Sequence, residues 1–417
     1  MNYDVVIIGA GPAGLSAAYH ANQTGAQRIL VIERDREVGG ILQQCIHNGF
    51  GLQLFKEELT GPAYTEKLYE KVKDQENIEF LIDTMVINIS EDKTIIACNP
   101  QGLLTINAKA IVMTMGCRER TRGAIRIAGT RPAGVFTAGA AQRMVNMEGA
   151  LPGKTAVILG SGDIGLIMAR RLSLEGVKVL ACIELMPYSN GLTRNIVQCL
   201  EDYDIPLYLS HTIAEIHGKD RVTGITCVKV DEKLKPIVGS DFFIECDTVL
   251  LSVGLIPENE LSRQIELPID PMTSGPIVDQ HRQTLKEGIF AAGNVVHVHD
   301  LADFASEEAA IAGKAAALYA QGKLSAEKKI VKVTACDGVR TVVPQQINLA
   351  EAKENIRLFL RVDKPYAKVK LEISSNSKIL TTRPLAVAIP SEMIVANILA
   401  KDIENIEGEV TIRLRGE

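Results

Sequence analysis

The sequence predicts an α/β fold: two Rossmann-like dinucleotide-binding domains, the first of them discontinuous, followed by a small C-terminal all-β domain, a sandwich. Three observations carry this expectation. An apolar strand feeds a glycine turn at residues 9–14 (GAGPAG), and the same device recurs at residues 160–165 (GSGDIG). Beyond about Ser325 the pattern changes to short alternating segments of β type. A chain of 417 residues is also too long for one ordinary core. The expected boundaries are 1–120 with 265–325 for the first domain, 121–264 for the second and 326–417 for the third.

In the first unit, residues 3–8 (YDVVII) form a continuous apolar, β-branched run, as a strand buried on both faces requires. The glycine turn follows, then a helical stretch to about Gln23 and a second strand over 28–32 that ends in Glu33. Gly9 permits the tight turn, Gly11 lets backbone approach a pyrophosphate, and Gly14 lets the helix, opened by Pro12 and Ala13, pack against the strand. The helix N-terminus offers free N–H groups to phosphate, and Glu33 can accept hydrogen bonds from a ribose. A lone GxGxxG is weak evidence, but strand, turn, helix, strand and terminal acid in this order are specific.

The second unit repeats the first. Residues 154–159 (KTAVIL) lead into Gly160, Gly162, Asp163, Ile164 and Gly165, a helix to about Glu175 and a strand ending at Glu184. In both units the acid stands 24 residues after the first glycine, and Gly14, Ala18 and Gly25 correspond to Gly165, Ala169 and Gly176. Two intact units predict two dinucleotides. Glu184 favours NAD over NADP, because a carboxylate there repels a 2′-phosphate and no arginine cluster follows at once.

The bulk numbers narrow the class. A net charge of -6 argues against a sequence-independent hold on nucleic acid, and no polybasic segment suggests an anionic membrane. No apolar run approaches the roughly 18 residues of a membrane span, and no basic leader precedes the first strand, so the expected location is cytoplasmic. The eight cysteines are scattered, with no CxxC or CxxxxC pair, which points to reduced thiols rather than a metal site or a dithiol.

Taken together, these motifs resemble the two-dinucleotide flavoprotein superfamily that includes the pyridine nucleotide–disulfide reductases. Supporting stretches are Gly39-Gly40, residues 111–116 (IVMTMG), residues 247–257 (DTVLLSVGLIP) and residues 283–294 (QTLKEGIFAAGN). The resemblance implies FAD in the first domain and NAD(H) in the second. It places Arg34, Gly40, Ile41, Val86, Gly116, Gly293 and Asn294 among the FAD contacts. Asn294 departs from the family's aspartate; an amide still hydrogen-bonds a ribityl hydroxyl but removes a negative charge. The helix over about 301–320 would aim its N-terminus at the flavin and stabilise the reduced, anionic ring. Residues 39–55, 151–184 and 187–209 most resemble the oxidoreductases that accompany FAD-dependent glycerol-3-phosphate dehydrogenases, and more distantly the alpha subunits of opine-oxidising complexes.

Without a cysteine pair, a disulfide substrate is not expected. Cys45 follows Gly40 by five residues, where the superfamily often puts a redox thiol, so it is a candidate catalytic residue, with small apolar filler as the alternative. Cys117 is a weaker candidate. His47, His297 and His299 fall in segments that the resemblance places near flavin. His297-x-His299 with Asp300 and Asp303 carries a metal-like spacing, but no metal is expected at such a turn. In the C-terminal region, strands are expected at 329–333, 341–347, 355–362, 367–373 and 409–414, after a linker at 323–329. The expected function is hydride transfer between nicotinamide and flavin within a glycerol-3-phosphate dehydrogenase system, in an oligomer with a protein partner. The alternatives are a stand-alone NADH oxidase or peroxidase using one cysteine, and a nucleotide-binding redox sensor.

Overall fold

The first glycine turn is held by a parallel sheet whose central strand, Asn2–Ile8, lies between Ile29–Ile32 and Gly102–Met113. The structure is a computed structural model that describes residues 1–325, 327–376 and 378–416. The expected linker at 323–329 includes Ala326, which lies outside the described residues. Two compact units divide the chain, one formed by residues 1–117 and 257–417, the other by residues 118–256. The segment 257–264, expected in the second domain, therefore packs with the first. The cause is local: Asn259 Nδ2 donates to the carbonyls of Ser274 and Val295, both at 2.9 Å, deep in that unit.

In the first unit the sheet order is Ile78–Leu81, Ile29–Ile32, Asn2–Ile8, Gly102–Met113, Thr94–Asn99 and Met85–Ile89, with Ile289–Ala291 also paired to Gly102–Met113. The last three strands of that series form an antiparallel meander on one edge. Within the stretch 111–116 the strand ends at Met113, since Thr114 turns to the first glycine loop, its N–H and Oγ1 both donating to the Ile8 carbonyl. Helices Pro12–Gln23 and Ala302–Ala320 cross at small residues. A Cβ on Gly313 would stand 2.2 Å from the Ala17 carbonyl oxygen, so only glycine permits this approach.

The strand-rich C-terminal region belongs to the same unit. A five-stranded sheet (Gln346–Asn348, Ile330–Ala335, Val410–Gly416, Tyr366–Ser375, Lys378–Ala388) and a three-stranded sheet (Val339–Val343, Ile356–Val362, Ile394–Ile398) share one apolar core. This is the expected sandwich. Lys378–Ala388 and Ile394–Ile398 are additional to the strands that the sequence announces. Among the described residues Lys378–Ala388 pairs in its sheet only with Tyr366–Ser375, and this edge position tolerates Pro384.

The second unit has a five-stranded parallel sheet ordered Val135–Thr137, Thr248–Leu251, Thr155–Leu159, Lys178–Glu184, Leu207–Leu209. Helix Asp163–Leu174 packs on it through Leu166, Ala169 and Leu172, all fully buried. A four-stranded sheet that includes His211–Gly218 and Val222–Lys229 covers the other face. The small alanines that the repeat aligns, Ala18 and Ala169, have no exposed surface, as close helix-to-sheet packing demands.

Candidate functional site

Both glycine turns have the geometry their spacing implies. Gly9 and Gly160 each adopt φ +102°, a conformation that side chains rarely take. A Cβ on Gly14 would lie 1.8 Å from the Gly9 oxygen, and one on Gly165 would lie 2.5 Å from the Gly160 oxygen, so the third glycine sets helix against turn in both units. Around Gly11 the picture reverses: a Cβ there would meet nothing within 4 Å. At Gly162 the nearest atom would be Ser252 Oγ at 3.9 Å. These are open cradles, backed by helix N-termini, and a pyrophosphate fits both.

The two strand-end acids repeat each other as well. Glu33 is buried and accepts from Ala10 N–H (2.7 Å) and Asp35 N–H (2.9 Å). Glu184, also buried, accepts from Ser161 N–H (2.9 Å), Ser161 Oγ (2.7 Å) and Met186 N–H (2.9 Å). Each carboxylate thus fixes its own glycine turn and retains lone pairs for a ribose hydroxyl.

Other expected contacts sort by placement. Gly40, with φ +55°, brings its backbone against Gly11, and Gly39 N–H donates to the Ala10 carbonyl at 2.8 Å. Gly116 has φ +75° and open space where a Cβ would be. Ile41 is exposed, whereas Val86 lies in the apolar core, so only its backbone could face a cofactor. Arg34 makes a two-pronged ion pair with Glu258 (2.7 and 3.3 Å). Asp163 spends its Oδ1 on Leu192 N–H (2.9 Å) and Asn195 Nδ2 (2.7 Å), clasping the following segment to the turn, and Ile164 packs on the core. Cys45 is half-buried, its Sγ 3.3 Å from the Ile41 carbonyl, and burial pushes the thiol up to about 12. His47 stacks on Phe50 with ring centroids 5.1 Å apart.

The second motif of the first unit is tied down by groups that sequence reasoning does not connect. Gly293 has φ +77° and its N–H donates to Glu308 Oε2 at 2.8 Å. Asn294 Oδ1 accepts from His299 N–H at 2.9 Å, while its Nδ2 points to Cys117 Sγ at 3.5 Å. An amide supplies both roles at once, and a carboxylate could not donate. Glu308, fully buried, also takes Arg282 Nε (2.9 Å), His297 Nε2 (3.2 Å) and His299 Nε2 (3.0 Å). Burial opposes its ionisation, but His297, Arg282 and His299 outweigh burial and hold the carboxyl well below the usual range. Burial, with His299 beside it, lowers His297 to about 4, so at neutral pH the imidazole is uncharged and Arg282 is the balancing cation.

Ligand-type atoms of His297, His299 and Glu308 lie within 4.8 Å of one another. A divalent ion among them would sit against the Arg282 guanidinium, and the existing hydrogen bonds already use the carboxylate fully. The Glu308 carboxylate is thus satisfied within the protein, while His299 Nδ1 is buried with no hydrogen-bond partner. The first turn of helix Ala302–Ala320 also carries its own acid, Asp303, which accepts from Leu54 N–H at 3.0 Å and offsets part of the helix dipole.

In the second unit a cleft of about 390 Å³ is lined by residues that include Thr121, Arg122, Arg131, Phe136, Thr137 and Leu251. It sits at the C-terminal ends of Val135–Thr137 and Thr248–Leu251, the end of a parallel sheet where ligands bind. The buried Arg122 guanidinium is held by the carbonyls of Ile127, Ala128 and Thr130.

A model of the pyridine nucleotide-disulphide oxidoreductase family matches residues 3–309. The chain belongs to this family. Its cofactors are accordingly FAD and NAD(P)H. It is 26% identical over 344 residues to an opine oxidase subunit of Agrobacterium tumefaciens (strain Ach5), covering 77% of this chain and 66% of that one. It is 25% identical over 300 residues to NADH dehydrogenase of Bacillus subtilis (strain 168), covering 70% and 53% respectively. The match thus spans just under two thirds of the first relative and about half of the second. The fold is similar to that of thioredoxin reductase from T. acidophilum (TM-score 0.61, 24% identity), covering 77% of this chain and 99% of that one. No helix among the described residues is long and apolar enough to cross a membrane. Unlike the disulphide chemistry in the family's name, no disulfide joins any of the eight cysteines, all of them among the described residues, and no two stand close in sequence.

Proposed function

We propose that the protein passes hydride between NAD(H) and FAD and exchanges the flavin's electrons with a protein partner, a FAD-dependent glycerol-3-phosphate dehydrogenase. The observation that carries the first part is the matched pair of open glycine cradles, Gly11 and Gly162, each fixed by a buried strand-end glutamate. Bound FAD supplies the two-electron chemistry; the chain's residues bind and orient. Gly9–Gly14 backbone and Glu33 would take the pyrophosphate and ribose of FAD, with Gly293 and Asn294 beside the ribityl chain. Gly160, Gly162, Gly165 and Glu184 would take NAD(H). The lack of a cysteine pair, and the likeness of residues 39–55 and 187–209, support a protein rather than a disulfide as the other half-reaction. The opine oxidase relative, itself named as a subunit, is in keeping with that.

The test is anaerobic addition of NADH to the FAD-loaded protein. Bleaching of the flavin band is expected; an unbleached flavin would sink the enzyme reading and favour a nucleotide-binding sensor. Glu184→Ser is expected to lower the preference for NADH over NADPH about tenfold in kcat/KM, or roughly 1.4 kcal/mol. Co-purification of a glycerol-3-phosphate dehydrogenase with the native protein tests the partner. A stand-alone oxidase using Cys45 is the second reading, since the thiol follows the Gly40 turn. A thiol raised to about 12 is poorly suited to attack, so Cys45→Ser is expected to keep NADH-driven flavin reduction. Loss of turnover with NADH alone in that variant would favour the oxidase.

A further inference from the structure

The Glu308 network is used by neither nucleotide fingerprint, yet it is a buried polar cluster tied to the turn of the second FAD motif. Four donors converge on one carboxylate: a backbone N–H from the Gly293 turn, two imidazoles from the loop after it, and a guanidinium from Arg282. Arg282 has no exposed surface and itself sits in a left-handed turn, φ +64°. Such a centre is expensive to bury and tolerates no missing member. The C-terminal sandwich closes it. Phe359 packs its ring on His297 (5.5 Å), His299 (5.3 Å) and the Arg282 guanidinium (5.7 Å). Arg361 donates to the Val298 carbonyl at 3.0 Å and pairs with Asp300, whose other oxygen accepts from Met393 N–H at 2.6 Å. Arg357 pairs with Glu307 on the same helix as Glu308, at 2.6 Å. Both sides of the loop that carries Asn294 are therefore gripped, one by Glu308 and one by strand Ile356–Val362.

We propose that Glu308 is a positioning residue for the flavin, and that the C-terminal sandwich is the outer half of the same clamp. Glu308 fixes Gly293 directly and Asn294 through His299; Phe359 and Arg361 hold the histidine loop in the register that this requires. Asn294 Oδ1 receives the His299 N–H only while the loop is so held. The arrangement also balances the Arg282 charge beside the flavin turn, so the carboxylate influences the flavin's electronics without touching it. The inference rests on the reading that Gly293 and Asn294 face FAD.

The experiment compares wild type, Glu308→Gln, Phe359→Leu and, as a surface control, Glu354→Gln, each as the full chain. FAD dissociation constants, the flavin visible spectrum and the reduction potential of the fully loaded protein are measured, with thermal melts alongside. Glu308→Gln is expected to raise the FAD dissociation constant at least tenfold. It is also expected to move the potential of the loaded flavin positive, because Arg282 is left unbalanced and favours the reduced anion. Phe359→Leu, which preserves apolar volume, is expected to weaken FAD several-fold with a smaller shift of potential; it decides the matter if Glu308→Gln does not fold. The control is expected to match wild type. Unchanged dissociation constant and potential in a folded Glu308→Gln or Phe359→Leu protein overturn the proposal while leaving the FAD reading intact. Stoichiometric zinc in the purified protein, lost in Glu308→Gln, overturns it by making the cluster a metal site. A wild type that binds no FAD would remove the underlying reading first.

Discussion

Gly11 and Gly14 differ by three positions and by opposite physical demands. At Gly14 a methyl group would strike the Gly9 carbonyl at 1.8 Å, so the turn or the helix must move. At Gly11 the same methyl would stand in open space, where the proposed FAD pyrophosphate would lie. Gly14→Ala is expected to destabilise the fold by roughly 1–3 kcal/mol, the range for overpacking. Gly11→Ala is expected to leave the melting temperature of the FAD-free protein nearly unchanged and to abolish FAD retention. Equal melting losses in the two variants would remove the distinction between packing glycine and binding glycine. His297 gives a second residue-scale expectation. Its folded value, about 4, lies below its ordinary 6.5, so the unfolded chain binds the extra proton first as pH falls. Its contribution is complete above about pH 6.5 and is lost as pH drops toward 4, on the order of 3 kcal/mol in all. Burial first, then His299 and Arg282, oppose its charging and outweigh Glu308, which favours it, while the Phe359 ring packs against the imidazole. Urea midpoints at pH 7 and pH 4.5 should therefore differ clearly in wild type and much less in His297→Asn. An equal pH slope in the two would place the acid sensitivity elsewhere.

Elements whose job is repetitive are legible in the sequence; elements whose job is mutual are not. The strands Asn2–Ile8 and Thr155–Leu159 are buried along almost their whole length, so continuous apolar runs announce them to within a residue. The glycines that follow the helix after each glycine turn, Gly25 and Gly176, take φ +91° and +83°, and the sequence shows their shared spacing directly. Within the stretch 283–294 the strand is Ile289–Ala291, and Gln283 with Arg282 belongs to the turn that feeds the Glu308 network. Glu308 itself stands in an alanine-rich helix beside Glu307, where a pair of acids reads as a solvated face. Its partners lie 9, 11, 15 and 26 residues away, spacings with no helical or strand period. The two histidines stand out as candidates, yet only the fold reveals that both imidazoles point at one carboxylate. Asn294 reads as a weakened ribityl contact; the Nδ2 bond to Cys117 and the Oδ1 bond to His299 give the amide a positive reason to be there.

At the scale of the molecule, the change of pattern near Ser325 marks a new domain but not its attachment. The sandwich meets the first sheet's unit through buried polar pairs as well as apolar contacts. Gln280 and the Asn348 backbone exchange two hydrogen bonds, at 2.9 and 2.8 Å, and Gln345 Oε1 accepts from Val278 N–H at 3.1 Å. Val343 is part of the same apolar cluster as Val278, Ile289 and Val295. Groups satisfied across such a contact are not left neutral when one side is removed; the apolar remainder is exposed to water, and fully exposing an aliphatic side chain costs about 1.5–3 kcal/mol. A chain ended at Leu324 is therefore expected to melt several degrees lower than the full chain and to lose FAD, with its Gly293 turn the first segment to gain hydrogen exchange. A sandwich that served only to dock a partner predicts the opposite: a shortened chain with unchanged melting and full flavin content, deficient solely in co-purifying a dehydrogenase. Measuring flavin content, melting and exchange on the same preparation separates the two, because a docking module has no means of protecting amides beside Glu308.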